Sequence, residues 1–174
     1  GWTISGITTM RSGDPDFINL SVRGLGGADV NRRFTGSETY GPRIAIVGDP
    51  RKSNREIDSW IDPSVFRLPQ IGGSMGLESG TRPIRKPGIH NWDVSIFKEI
   101  PFGERRYLQL RLEMFNAPNK TQFSDFNRTA QFDLNGNLTN LPASRGGGGG
   151  RYGFGAITAA RDPRLIQLAA KFYF

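Results

Sequence analysis

The chain has 174 residues, a formal net charge of +7 at pH 7, no cysteine and a single histidine. This length is typical of one domain. The composition excludes a disulfide scaffold, thiolate metal sites and histidine-based metal clusters. The positive charge is spread along the chain without a run of five Lys or Arg residues. We therefore expect no nucleic-acid partner, because phosphate recognition needs clustered cations.

Four segments alternate apolar and polar residues with a period of two, which indicates β-strands. In chain order they are residues 2–11, 91–101, 107–116 and 165–174. A membrane-spanning β-strand needs about 9–11 such residues, whereas the aliphatic runs of this chain are far too short for a transmembrane helix. We therefore predict an all-β chain whose four long strands form an antiparallel, up-and-down sheet with neighbours in chain order.

The connections between these strands differ greatly in length. A hairpin turn around residues 102–106 joins the second and third strands, whereas residues 13–88 and 118–164 form two long loops. We expect small strands near residues 43–47 and 154–158, and a flexible loop tip at the glycine run 146–150. Short turns alternating with long loops are typical of outer-membrane barrels, whose turns are periplasmic and whose loops are extracellular.

Aromatic residues lie at the end of each strand that this arrangement places in the periplasm. Aromatic rings concentrate at membrane interfaces, so we predict that these residues anchor the barrel there. They are Trp2, Phe102, Tyr107, Phe172, Tyr173 and Phe174.

Charged residues alternate with the apolar residues of the predicted strands. Charges are costly on the lipid face of a barrel and are tolerated in its lumen. We predict a lumen-facing position for Asp93, Arg111, Glu113 and Lys171. Lys98 is the exception, because it shares a face with Val94 and Ile96, and we expect its aliphatic stem to extend to the lipid headgroups.

Five segments resemble, in the same order, the C-terminal part of TonB-dependent outer-membrane receptors, and more narrowly the Oar-like receptors with an N-terminal carboxypeptidase-regulatory-like domain. The resemblance implies a 22-stranded barrel with a plugged lumen, of which residues 1–174 are about the last four strands. We therefore expect a fragment of a longer protein. The segments are GWTISGITTMRSGDP (1–15), SWIDPSVF (59–66), GIHNWDVSIFKEI (88–100), RRYLQLRLEMFNAPNKTQF (105–123) and FGAITAARDPRLIQLAAKFYF (154–174).

The same resemblance implies the location and the partners of the protein. We expect it in the cell outer membrane, in contact with lipid, with the remaining strands and the plug of its own chain, and with TonB through upstream regions. It also implies that the outer-membrane assembly machinery reads the aromatic residues at positions 172–174 as a signal. The long loops would then be extracellular.

The leading functional hypothesis is a receptor component for uptake of an unidentified substrate. Two alternatives remain: an outer-membrane barrel for adhesion or surface display, and a soluble glycan-binding β-domain. The chain has no Ser-His-Asp arrangement, and its carboxylates are scattered, so we predict no enzyme activity, no cofactor and no metal site. The segment DLNGN (133–137) lacks the terminal Glu of a calcium loop and is predicted to be a turn.

Overall fold

The structure, a computed structural model, describes residues 1–24, 43–70 and 84–174. These residues are all-β, with helical turns of the 3-10 type at Pro63–Val65, Ala143–Arg145 and Gly150–Tyr152. No helix within these ranges has the length and apolar character required to cross a bilayer.

The strands of the described residues divide into four long ones and a set of short ones. In chain order they are β1 (Trp2–Arg11), β2 (Pro15–Asp16), β3 (Asn19–Val22), β4 (Ala45–Ile46), β5 (Arg51–Glu56), β6 (Ser59–Ile61), β7 (Phe66–Arg67), β8 (Ile84–Arg85), β9 (Ile89–Pro101), β10 (Tyr107–Phe115), β11 (Phe123–Phe126), β12 (Thr129–Phe132), β13 (Ile157–Ala160) and β14 (Leu165–Tyr173).

The long strands form one antiparallel sheet in the order β1-β9-β10-β14, which confirms the predicted fold class. The hairpin between β9 and β10 closes with a hydrogen bond of 2.7 Å from the Phe102 amide to the Arg106 carbonyl. Gly103 adopts a φ of 91° in this turn. Glycine reaches this left-handed region without steric cost, which explains the residue type at this position.

The register of the sheet sorts its side chains into two faces. Leu112 lies opposite Ile96 on β9 and opposite Leu168 on β14. Because side chains alternate along each strand, the even-numbered residues of all four long strands share one face. We call it the apolar face, and we call the face of the odd-numbered residues the polar face. The side-chain pattern of the sequence therefore specifies the two surfaces of the sheet.

The chain forms two compact units. The strand unit comprises residues 1–13, 87–123 and 160–174, and the loop unit comprises residues 14–86 and 124–159. In the loop unit, β3 pairs with β12 in parallel, while β2 with β8, β4 with β7 and β5 with β6 pair antiparallel. The two-residue strand β4 and the strand β13 lie at the expected positions near residues 43–47 and 154–158.

The loop unit has a hydrophobic core of its own. Phe66 and Phe154 are both almost fully buried, and their rings meet edge to face with centroids 5.3 Å apart. Buried Asp16 forms ion pairs with Arg128 and with Lys86, whose Nζ lies 3.6 Å from its carboxylate. A buried carboxylate requires such partners, because its desolvation is otherwise costly. The described parts of the long connections thus pack around a core of their own.

The prediction of a flexible tip at residues 146–150 is wrong. A Cβ on Gly147 would lie 2.2 Å from the Leu141 carbonyl oxygen, and one on Gly149 would lie 2.3 Å from the Asn140 carbonyl oxygen. The glycine run therefore packs its backbone directly against residues 139–142. Glycine is required there for close approach, so its abundance indicates packing and not flexibility.

The predicted turn at residues 133–137 is present. Asp133 Oδ1 accepts hydrogen bonds from the backbone amides of Asn135 and Asn137, both between 2.8 and 2.9 Å. The Asn137 side-chain amide also donates a hydrogen bond of 2.9 Å to Asp133 Oδ2. This side-chain bond, followed by the bond from the Asn137 backbone amide, holds the pKa of Asp133 below its usual value. The carboxylate is therefore used by its own turn, which is the typical role of Asp in such loops.

Candidate functional site

The apolar face of the strand unit is exposed. Leu168 is 77% exposed to solvent and Ile4 is 72% exposed. By contrast, the buried hydrophobic residues among the described positions all lie in the loop unit. Burial of apolar surface stabilises a protein by about 25 cal/mol per Å², so a large exposed apolar face is unfavourable in water. Such a face is typical of strands that contact lipid.

A groove with a volume of about 720 Å³ crosses the apolar face. Its walls include Ile96, Leu110 and Leu168, and Lys98 and Trp2 border it. Ala170 lies directly across from Leu110 and lines the same groove, where its side chain is small. Arg111 also borders the groove, although its side chain belongs to the polar face.

Arg111 and Glu113 form the centre of the polar face. Arg111 Nη2 lies 2.9 Å from Glu113 Oε1, and the guanidinium lies over the Phe97 ring at 4.8 Å from its centroid. Both charged side chains are mostly shielded, with 29% and 24% of their surfaces exposed. An ion pair that also stacks on an aromatic ring has a fixed position, which suits a preorganised polar surface.

The other two predicted lumen residues lie on the same face, at separate places. Lys171 is opposite Gln109, whose side-chain amide donates a hydrogen bond of 3.3 Å to Glu99. Asp93 lies toward the opposite end of the sheet from the hairpin. The sheet therefore puts Asp93, Arg111, Glu113 and Lys171 on one face, and brings Arg111 and Glu113 into direct contact.

A polar network at the end of the sheet opposite the hairpin was not predicted from the sequence. Asp93 Oδ1 accepts hydrogen bonds from the Asn91 side chain at 2.8 Å and from the Asn116 amide at 2.9 Å. Buried Gln122 donates to Asn91 Oδ1 at 3.1 Å and accepts from the His90 amide at 3.1 Å. The sequence signal is the Asn-rich segment after β10, because Asn tolerates the left-handed conformation that Asn116 adopts with a φ of 50°.

The aromatic residues cluster at the hairpin end of the sheet, but they divide between its two faces. Phe102 and Phe174 each lie 6.4 Å from Phe172, measured between ring centroids. Phe172 is an apolar-face residue, and Trp2 lies on the same face. The role of these four residues as interfacial anchors stays a prediction.

Tyr107 and Tyr173 lie on the polar face. Their rings stack with centroids 4.4 Å apart and an angle of 13° between the planes. Since they share a face with Arg111 and Lys171, they are placed differently from an anchor that points to lipid. The alternation of β10 already contained this information, because Tyr107 and Arg111 are both odd-numbered residues of one strand.

One side-chain cluster ties two segments of the loop unit together. Arg145 pairs with Glu56 and with Asp58, the latter at 3.1 Å, and the Ser144 hydroxyl donates to Asp58 Oδ2 at 2.7 Å. The Ser144 hydrogen bond, followed by that from Arg145, lowers the pKa of Asp58. This cluster connects the segment after β12 to the β5–β6 hairpin.

Comparison with known proteins identifies the family of this chain. Neither the curated proteins nor the solved structures include a match to this chain. The family model described as "Outer membrane beta barrel domain" matches residues 1–167. That range contains most of the four-stranded sheet and the whole loop unit. The chain therefore belongs to the outer-membrane β-barrel domain family, and its location is the outer membrane.

Proposed function

We propose that this chain supplies strands and loops of a TonB-dependent outer-membrane receptor that takes up a solute. The observation that carries the proposal is the polar face, where Asp93, Arg111, Glu113 and Lys171 share one side of a sheet whose other side is mostly apolar. A polar interior is typical of outer-membrane barrels that conduct or transport solutes. The resemblance of the five sequence segments to TonB-dependent receptors supports the narrower assignment.

The edges of the sheet imply partners within the barrel. In the described residues, β1 pairs only with β9, and β14 pairs only with β10. Unpaired backbone groups in lipid cost several kcal/mol each, so a barrel must close. We propose that β1 and β14 pair with further strands of the same protein around a plug, and that TonB contacts upstream regions. The assembly machinery would read the aromatic residues around Phe174.

The orientation follows from the loop lengths. Barrels of this kind place short turns in the periplasm and long loops outside the cell. The turn at residues 102–106 would then be periplasmic, and the loop unit would be extracellular. We propose no catalytic role and no cofactor for this chain, because its sequence has no Ser-His-Asp arrangement and its carboxylates are scattered.

A second candidate function is adhesion or surface display. The observation that favours it is the loop unit, which has its own core and therefore presents a fixed surface. Functional residues of many proteins lie on loops that a rigid scaffold holds in position. A transport receptor also uses such loops to capture its substrate, so the loop unit alone is compatible with both functions.

The experiment that separates the two uses the full-length protein that contains this chain. Binding of the purified, folded protein to the periplasmic C-terminal domain of TonB is measured in detergent micelles. A transport receptor binds TonB through its N-terminal contact segment, and a variant without that segment loses the interaction. An adhesin with an unplugged barrel gives no binding in either form, which would overturn the proposal.

A further inference from the structure

Lys98 is the one Lys, Arg, Asp or Glu residue on the apolar face of the four long strands, all of which the structure describes. It lies opposite Trp2 on β1 and opposite Leu110 on β10. Its Nζ is 4.9 Å from the centroid of the Trp2 ring, and no carboxylate of the described residues pairs with it. A lysine ammonium offers three hydrogen-bond donors, so this group is suited to an anion.

Lys98 also lines the groove on the apolar face. Apart from Lys98, Trp2 and Arg111, whose side chain belongs to the polar face, the lining consists of apolar residues, including Ile96, Leu112 and Leu168. Ala170, whose side chain is small, lines it opposite Leu110. The lining residues form two neighbouring rows across the strands, one of Trp2, Lys98, Leu110 and Ala170 and one of Ile96, Leu112 and Leu168. The apolar face therefore offers one cation beside an apolar groove, which is complementary to a molecule with an anionic head and a hydrocarbon chain.

We propose that this groove binds one glycerophospholipid of the outer membrane. The phosphate contacts Lys98 Nζ, the Trp2 ring lies beside the headgroup, and an acyl chain occupies the groove. Trp suits this position because its ring is apolar and its indole N–H is a hydrogen-bond donor. Lys98 lies three residues from the end of β9 at the hairpin. Because short turns are periplasmic, the lipid belongs to the inner leaflet, where phospholipids form the surface.

This inference depends on membership of the barrel family and not on transport. An adhesin barrel with the same sheet binds the same lipid. Failure of TonB binding therefore leaves the lipid site unaffected, and loss of lipid binding leaves the transport proposal unaffected.

The test uses the full-length protein, purified in detergent and stripped of native lipid. Binding of 1-palmitoyl-2-oleoyl phosphatidylglycerol is measured by native mass spectrometry for the wild type and for Lys98→Gln. We expect Lys98→Gln to weaken binding by about tenfold, the loss that corresponds to one charge-assisted contact. Lys98→Arg keeps the cation and retains binding. Lys171→Gln removes a cation from the neighbouring polar-face position and leaves lipid binding unchanged.

A second variant tests the groove without changing charge. Ala170→Leu fills the space beside Leu110 and keeps an apolar surface, so the barrel folds and the affinity falls. Diolein, which has acyl chains and no phosphate, binds more weakly than phosphatidylglycerol. Inorganic phosphate does not compete with phosphatidylglycerol. The proposal would be overturned if Lys98→Gln bound phosphatidylglycerol as tightly as the wild type does. It would also be overturned if diolein bound as tightly as phosphatidylglycerol, or if the protein retained lipid A in preference to phospholipid.

Discussion

The backbone amide of Asn116 donates a hydrogen bond of 2.9 Å to the side chain of Asp93, which lies 23 residues earlier in the chain. This contact joins the segment after β10 to the middle strand β9. The same Asp93 oxygen accepts a hydrogen bond from the Asn91 side chain. One carboxylate thus fixes the point at which the chain leaves the sheet.

Removal of this carboxylate should destabilise the barrel. We expect Asp93→Ala to cost about 1–3 kcal/mol, because the partly buried donors of Asn116 and Asn91 lose their acceptor. Urea-induced unfolding of the full-length protein in detergent micelles measures the change. Asp93→Asn retains an oxygen at the same position and should lose much less. Equal losses for both variants would show that the charge matters and the acceptor geometry does not.

The two faces of β14 should respond differently to the same charge. Leu168→Arg puts a guanidinium on the apolar face near the middle of the strand, and should cost about 2–4 kcal/mol of barrel stability. Gln167→Arg puts it on the polar face, opposite Glu113, and should cost little. Unfolding in detergent or lipid vesicles compares the two. Similar penalties at these adjacent positions would contradict the assignment of the faces.

The aromatic cluster around Phe172 should contribute to membrane assembly. In the full-length protein, Phe174→Asp should leave secretion to the periplasm intact and reduce insertion into the outer membrane, because a charge replaces a ring next to Phe172. The measurement is the amount of heat-modifiable, folded barrel in outer-membrane fractions. Phe174→Tyr keeps an aromatic ring and should assemble normally. Normal insertion of Phe174→Asp would show that Phe174 has no role in assembly.

The glycine run should tolerate substitution at one position and not at its neighbours. Gly147→Ala and Gly149→Ala force a Cβ into backbone atoms at 2.2 and 2.3 Å, and should destabilise the loop unit by about 1–3 kcal/mol. Gly148→Ala meets its nearest atom at 3.2 Å, so we expect a smaller effect. Thermolysin cleavage of the folded protein reports the difference. Equal cleavage rates for the three variants would contradict the packing described for this run.

The Asp58 cluster should weaken in acid. The pKa of Asp58 is lower in the folded protein than in the unfolded chain, where it is about 3.9. Asp58 therefore stabilises the loop unit at pH values above the unfolded-state pKa. This contribution is lost as the pH falls through the lower folded-state pKa. Hydrogen exchange of peptides that cover residues 141–147, corrected for intrinsic rates, should increase between pH 5 and pH 3. Asp58→Asn should show less pH dependence. The same pH response in both proteins would assign it to other carboxylates.

The sequence by itself determined the long strands and their faces. A period of two places Leu110 and Leu112 on one side of β10 and Arg111 and Glu113 on the other, whatever the strand pairs with. The same period also places Tyr107 on the polar face, although its position at the end of the strand suggested an anchor that faces lipid. These are local properties, because a strand alternates its side chains through its own backbone geometry.

Only the tertiary structure decided the organisation of the loops and the contacts between distant residues. The pairing of Phe66 with Phe154 and the bond from Asn116 to Asp93 join residues that are far apart in the chain, and no periodicity encodes them. The glycines at 147 and 149 have the composition of a flexible tip, yet they pack against residues 139–142. The physical reason is that close backbone approach and long-range burial depend on which segments meet, and the local sequence does not specify that.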